Sequence, residues 1–563
     1  MTDPYSSKPW LKFYDPHALS AINYPSMSYA ESMDQTFRKF PQTVALHYMG
    51  NGITYGELDV LTNQLARFLI KEGCKAGDTV GVHLPNVPAV YIAALAIQKA
   101  GCVYTGVSAL LTPDELEYQL NDSGAKALVT LDLLFGAVQK AVPNTRVKTV
   151  IVASVGDYLP TIKKALGTLL KKIPKGDWGA IPGVKVISFL DALRGMPTDR
   201  TLVKVKPENA CLMMYTGGTT GPPKGAVLTH NNVVRHTAQL GKWMNVDSMA
   251  GMVGVSAFPM FHQAGNFLSL WSMNMGATQV VVPDPRNLDF IISAIKKYKP
   301  TGIINVPTIF LELMKKPAFR SIDFSTVEWF VSGASPFPAE NIREFEDIVG
   351  KGKLMEVYGM TETTPLITAT PRFGKRKVGS VGLPIVDTDV KLVDPDTGQS
   401  VPTGSPGELA CRGHQVMRGY HNKPDETAHT IRDGWMHTGD IAEMDEEGYF
   451  YIVDRLKDML SVSGFKVFTR QVDDVLIEHP DVEIAATIGL PDPNRPGSEI
   501  VACAIVLKPG GEKSDAMRGR IIAYMKEKVA PYKVPKVIQF MDQLPMSAVG
   551  KVLKRELRKV MTG

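Results

Sequence analysis

The spacing of apolar positions divides the chain into stretches of different texture. Residues 1 to about 45 are aromatic and loop-rich. From Thr79-Val80-Gly81-Val82 the pattern becomes strand, helix, strand. Pro88 stands near a helix start, Ala89 to Lys99 are strong helix formers, and Gly101 ends the run. Thr112-Pro113-Asp114-Glu115 has capping-box spacing with proline at the first helical position. Gly124 closes that helix, and Lys126-Ala127-Leu128-Val129-Thr130 reads as the next strand. Such alternation predicts an α/β fold of layered subdomains with a largely parallel sheet. Between Gly379 and Gly439 short strands, among them Asp389–Val393 and Pro406–Leu409, alternate with Gly/Pro turns. That texture predicts a small β-barrel-like subdomain. The C-terminal stretch mixes strands (Ile484–Leu490, Ile500–Leu507) with a helix (Met517–Lys528), a compact α+β domain.

One segment has another character. Leu159, Ile162, Leu166, Leu169, Leu170 and Ile173 recur at helical spacing, with Lys163, Lys164, Lys171, Lys172 and Lys175 between them. The ordinary expectation is a surface helix whose apolar face packs on its own domain. The other reading is peripheral contact of 159–175 with an anionic membrane surface.

Candidate chemistry begins at Cys211-Leu212-Met213-Met214-Tyr215, a buried-strand pattern. It runs straight into Thr216-Gly217-Gly218-Thr219-Thr220-Gly221-Pro222-Pro223-Lys224-Gly225. Glycines let backbone N–H groups turn inward to make an anion-binding concavity, and the threonine hydroxyls and Lys224 add donors. This is a device for holding phosphate oxygens, although it is not a Walker A loop: Gly225, not Ser or Thr, follows Lys224.

The bulk numbers narrow the class. At 563 residues the chain needs two or more domains. With 44% hydrophobic and 21% charged residues it is globular. A net charge of +5 is too mild to imply nucleic acid and fits anionic ligands. Five dispersed cysteines argue against a disulfide framework or metal cluster and for a reducing compartment. The start Met1-Thr2-Asp3-Pro4 is unlike a signal peptide, and the longest apolar run, Ala89–Ile97, is far below a membrane span. A cytoplasmic protein is expected.

Tyr215 to Gly225 closely resembles the phosphate loop of the adenylate-forming superfamily, whose members are acyl-CoA synthetases, adenylation domains of peptide synthetases and luciferases. Gly217 in place of the usual serine, and the opening Lys8-Pro9-Trp10-Leu11, look like the bacterial long-chain fatty-acyl-CoA synthetases. The likeness extends over nearly the whole chain and implies a set of roles. Thr216, Gly217, Gly218, Thr219, Thr220, Gly221 and Lys224 would hold the nucleotide phosphates. Gly333-Ala334-Ser335 looks like the adenine-side loop. In Tyr358-Gly359-Met360-Thr361-Glu362 the tyrosine would face adenine and Gly359 would allow close approach. Thr361 would donate to the α-phosphate, and Glu362 would supply a hard oxygen to Mg²⁺. Asp440, in Thr438-Gly439-Asp440, resembles the carboxylate that grips the ribose diol. Arg455 would reach ribose and phosphates, and Lys457 falls at the backbone pivot, giving expected domains 1–456 and 457–563. Ser463-Gly464-Phe465-Lys466 fits the loop facing the site when CoA attacks. Lys551, in the Leu544–Lys551 motif, matches the catalytic lysine. His262, in Phe258–Gly265, would border the acyl pocket and thiol channel without acting as a base.

Two departures stand out. Asn266 occupies the place where some long-chain enzymes carry a tryptophan gate, and Thr469-Arg470-Gln471-Val472-Asp473 replaces the usual Pro-x-Glu-(Ile/Val)-Glu. The resemblance implies a reaction that activates a carboxylic acid, a medium- or long-chain fatty acid, with ATP and Mg²⁺ to an acyl-adenylate and then to acyl-CoA, releasing pyrophosphate and AMP. Rivals are an aryl- or alicyclic-carboxylate CoA ligase, an adenylation enzyme loading a carrier protein, and a nucleotide-binding protein without acyl transfer. The acid itself and the oligomeric state are left open by the sequence.

Overall fold

A computed structural model of the protein describes residues 3–562 except Lys171, 217–221, Gly464, Asn494, Pro496, Gly497 and 548–550. Two large sheets carry the N-terminal domain. In one, Leu354–Tyr358, Trp329–Ser332, Gly302–Asn305, Val253–Ser256, Thr278–Val281 and Val44–Tyr48 lie side by side and parallel. In the other, Ala210–Thr216, Val103–Gly106, Thr79–His83, Ala127–Leu131, Thr149–Ala153 and Lys185–Ser188 do the same.

Parallel strands need helical crossovers and burial on both faces, and the apolar runs supply it. Helix Pro88–Lys99 is buried along its entire length. It shares one core with residues of both sheets and with helices Tyr29–Lys39, Tyr55–Lys71, His230–Trp243 and Gln263–Asn274. Helices Leu288–Tyr298, Pro307–Met314 and Ala339–Val349 cover the outer face of the first sheet. Pro113–Asp122 and Phe135–Ala141 cover that of the second. The α/β layering expected from the sequence is therefore present.

Strands Thr388–Val393, Gly407–Gly413, Ile431–Arg432, Trp435–Met444 and Phe450–Arg455 form an antiparallel β-subdomain. The small C-terminal domain has its own core under a sheet of Val482–Pro491, Glu499–Leu507 and Val537–Phe540.

Two local expectations change. The loop-rich N-terminus contains helix Tyr29–Lys39, started by reciprocal hydrogen bonds between Ser28 and Glu31. That S-x-x-E signal lay in the sequence unused. Helix Thr161–Leu169 forms, but its apolar stripe does not pack on the domain. Ile162 and Leu169 are 76% and 79% exposed, and Leu166 and Leu170 also face solvent. Only Leu159, before the helix, reaches the core.

Candidate active site

The candidate nucleotide residues cluster at the carboxyl ends of adjacent parallel strands, where open α/β sheets bind ligands. Strand Trp329–Ser332 ends in Gly333, Ala334 and Ser335, and its neighbour Leu354–Tyr358 ends in Gly359 and Met360. The two chain ends are pressed together. A Cβ on Gly333 would lie 2.9 Å from the Val357 carbonyl oxygen, and one on Gly359 would lie 1.9 Å from that of Pro365. Ala334 takes φ +69° to make the turn. Among the described residues the buried Ser335 Oγ has no hydrogen-bond partner, which suits a polar atom that meets a nucleotide. Gly359→Ala is expected to cost about 1–3 kcal/mol by forcing backbone apart. Thermal unfolding should show a Tm several degrees lower, and ATP titration a weaker affinity.

The two ends of the expected phosphate loop are paired strands. Strand Ala210–Thr216 returns antiparallel as Lys224–Thr229, with Thr216 opposite Lys224. Gly217, Gly218, Thr219, Thr220 and Gly221 lie outside the described residues. The Lys224 ammonium sits 4.7 Å above the Tyr420 ring and 2.8 Å from Glu426 Oε2. Tyr420 in turn donates to Glu362 Oε1 at 2.6 Å. Glu362 is buried, which raises its pKa, and a cation bound there would restore the ionised form. One buried carboxylate oxygen suits Mg²⁺, which takes few protein ligands and completes its shell with phosphates and water. Thr361 lies beside it in a single helical turn, Thr361–Thr363.

On the ribose side the Tyr358 hydroxyl donates to Asp440 Oδ2 at 2.7 Å, and Arg455 Nε donates to Oδ1 at 3.3 Å. Asp440 and Arg455 are paired residues of neighbouring antiparallel strands, which fixes their approach. Glu408 shapes the turn before Asp440 by accepting from Gly439 N–H at 3.1 Å and from His437 Nδ1 at 2.9 Å.

Lys551 arrives from the C-terminal domain. Its backbone is held by Ser547, through Lys551 N–H to Ser547 Oγ at 3.1 Å and Ser547 N–H to the Lys551 carbonyl at 2.8 Å. Burial pushes its pKa down to about 8, helped by Arg455 and Lys457 and opposed by Asp440 and Glu362. The ammonium thus lies within the field of Asp440 and Glu362, the residues expected at the ribose and at the metal. His262 is within its field too. Burial, and then the charge of Lys551, pull the imidazole down to about 4, so it is neutral at physiological pH and unsuited to be a cation. His262 starts helix Gln263–Asn274, with Nδ1 accepting from Ala264 N–H at 3.3 Å, and stacks on Phe258.

Not every candidate joins this cluster. Ser463 takes a left-handed φ of +52° and accepts at Oγ from Arg495 at 2.6 Å. Phe465 is exposed and stacked on Tyr532, and Lys466 faces Asp396 at 3.6 Å. Gly464 is outside the described residues. Lys457, by contrast, stands within the cluster, where burial and then the charge of Arg455 lower its pKa. Tyr420, Glu426 and Glu408 were missed by the sequence reading, because pairings such as Tyr420 opposite Ala226 join residues far apart in the chain.

The family model "AMP-binding enzyme" matches residues 33–421, and "AMP-binding enzyme C-terminal domain" matches 471–551. The chain belongs to the AMP-binding enzyme family, and it is an AMP-forming carboxylate–CoA ligase that uses ATP, Mg²⁺ and CoA. A long-chain-fatty-acid–CoA ligase of Bacillus subtilis is 36% identical over 557 residues, 98% of each chain. One of Escherichia coli is 35% identical over 561 residues, again 98% of each. Among solved structures, an anthranilate CoA ligase in complex with anthranoyl-AMP superposes with a TM-score of 0.82 at 25% identity. That match covers 96% of this chain and 98% of the other.

Proposed function

We propose that the acid activated here is a long-chain fatty acid. What carries the reading is similarity to ligases of that name along 98% of the chain. A panel of acids from acetate to palmitate, with benzoate and cyclohexane carboxylate, read by CoA-dependent AMP release, tests it. Palmitate or another long chain should give the highest kcat/KM; a preference for benzoate would favour the aryl reading.

The mechanism follows from the chemistry of a poor electrophile. A carboxylate cannot lose oxide, so its oxygen attacks the α-phosphorus of ATP and becomes part of AMP, a good leaving group. Charge spreads over the carboxylate and α-phosphate oxygens while pyrophosphate departs, so positioning and cations matter more than acid–base groups. Lys551, a compact point charge, bridges carboxylate and α-phosphate. Thr216, the 217–221 loop and Lys224 hold the outer phosphates. Thr361 donates to the α-phosphate, Gly333, Ala334, Ser335, Tyr358, Gly359 and Met360 seat adenine, and Asp440 with Arg455 fixes the ribose. Glu362 would hold Mg²⁺, which would supply charge neutralisation to the phosphates. In the thiol step Lys551 stands in the way. The domain 457–563 therefore turns about Lys457 and brings Ser463, Gly464, Phe465 and Lys466 to the site. The outward placement of Phe465 and Lys466 accords with a loop used only in the second orientation.

The same reading extends to membrane contact through 159–175. Among the described residues no helix is long and apolar enough to cross a bilayer. The exposed stripe of Ile162, Leu166 and Leu169, flanked by exposed Lys164, Lys172 and Lys175, suits a helix lying on an anionic surface. The protein should float with phosphatidylglycerol vesicles and not with phosphatidylcholine ones. Ile162→Ser with Leu169→Ser should abolish flotation, and equal flotation with both lipids would count against the contact.

A further inference from the structure

Helix Thr469–Ile477 begins without a cap of its own. Phe468 occupies the cap position, and the first turn carries no acidic residue. Its N-terminal donors are taken up by a residue of the other domain. Asp454, on strand Phe450–Arg455, accepts from the Thr469 N–H at Oδ2. The Thr469 hydroxyl lies 3.1 Å from Oδ1 and 2.9 Å from Oδ2, and the Arg470 N–H donates to Oδ2 at 3.4 Å. Arg470 Nη1 adds a bond to the Ile452 carbonyl at 2.7 Å. Asp454 is 5% exposed and Thr469 is fully enclosed. From the last helix, Lys554 donates to the Thr469 hydroxyl at 2.6 Å. A buried carboxylate on a helix N-terminus makes hydrogen bonds of the charge-assisted kind, helped by the helix dipole.

These bonds span two bodies. Strand Phe450–Arg455 belongs to the β-subdomain, whereas Leu460, Val467, Val472 and Leu476 belong to the C-terminal core. Asp454 precedes Lys457 and Thr469 follows it, so a turn of the domain about Lys457 must pull the carboxylate off the helix. We propose that Asp454 and Thr469 are positioning residues that latch the C-terminal domain in the orientation presenting Lys551, and that the latch opens before the thiol step. The inference rests on the reading that this domain turns. Thr469 stands where the motif named above has proline, and proline has neither the N–H nor the hydroxyl that Asp454 receives here. The departure noted in the sequence thus supplies most of the latch.

The test uses the full chain. All five cysteines are buried, so cysteines placed at the exposed positions Lys351 and Lys526 take a fluorophore pair selectively. Asp454→Asn keeps the shape and removes the charge. Thr469→Pro removes both donors while leaving a residue tolerated in the first helical turn. In the unsubstituted enzyme the energy transfer should differ between ATP with acid and the state after CoA is added. Each variant should move the ATP-with-acid population toward the CoA state and lower acid-dependent ATP–pyrophosphate exchange by about tenfold, the equivalent of one or two lost hydrogen bonds. Thioester formation from supplied acyl-adenylate should be retained or faster. Equal loss in both half-reactions, or an unmoved energy-transfer population in both variants, overturns the latch. One and the same energy transfer in both substrate states of the unsubstituted enzyme overturns the turning domain itself, and the latch with it.

Discussion

Lys551→Ala should abolish most acyl-adenylate formation while leaving thioester formation from supplied acyl-adenylate close to that of the unsubstituted enzyme. The ammonium is enclosed near Asp440, Glu362, Arg455 and His262, and its burial already lowers its pKa to about 8. A preorganised charge in such a place is worth about 3–4 kcal/mol at the transition state, a loss of roughly 10²–10³-fold in acid-dependent ATP–pyrophosphate exchange. The second step has no use for this charge, so equal loss in both halves would contradict the division of labour. The same pKa sets a pH dependence. Lys551 is charged below about pH 8 and neutral above it, so kcat/KM of the adenylation half-reaction should fall as pH rises through about 8. In the Lys551→Ala enzyme that limb should be gone from the residual rate. His262, already neutral from about pH 4 upward, contributes no corresponding limb near neutrality.

Asp440→Ala is expected to weaken ATP rather than to slow chemistry on bound substrates. The carboxylate receives the Tyr358 hydroxyl at 2.7 Å and Arg455 Nε at 3.3 Å. Its loss removes the proposed acceptor for the ribose diol and frees both neighbours at once. Hydrogen bonds to a charged group contribute about 1.5–3 kcal/mol, so KM for ATP should rise roughly 10–100-fold with a smaller change in kcat. A large fall in kcat at unchanged KM would show that Asp440 acts in the transition state instead. Isothermal titration with ATP separates the two outcomes directly.

Much of the architecture was legible because local signals agreed with one another. Pro88, the helix formers Ala89–Lys99 and Gly101 predict the helix that the structure buries along its whole length between two sheets. The Thr112–Glu115 capping box starts helix Pro113–Asp122 as expected. The site was legible where one contiguous motif carries the chemistry. Tyr358 to Glu362 and the ends of the phosphate hairpin are such stretches, because glycines and hydroxyls near strand ends have a physical reading of their own. The Ser28/Glu31 helix was missed even though its signal was local.

Other features could not be seen along the chain. Tyr420 reaches Glu362 only because strand Gly419–Tyr420 pairs with Lys224–Thr229. Which way the basic amphipathic segment turns its apolar face depends on what stands opposite, and Ile162 and Leu169 are left exposed. What Thr469 does in place of proline depends on Asp454, fifteen residues earlier, standing against it. What the sequence alone determined was the layered α/β plan, the family and the identity of the chemical groups, since these follow from periodicity, caps and short motifs. Only the tertiary structure decided which groups meet, how burial shifts Lys551, His262 and Glu362, and what joins the two domains. Those are properties of burial and of contacts between residues distant in the chain.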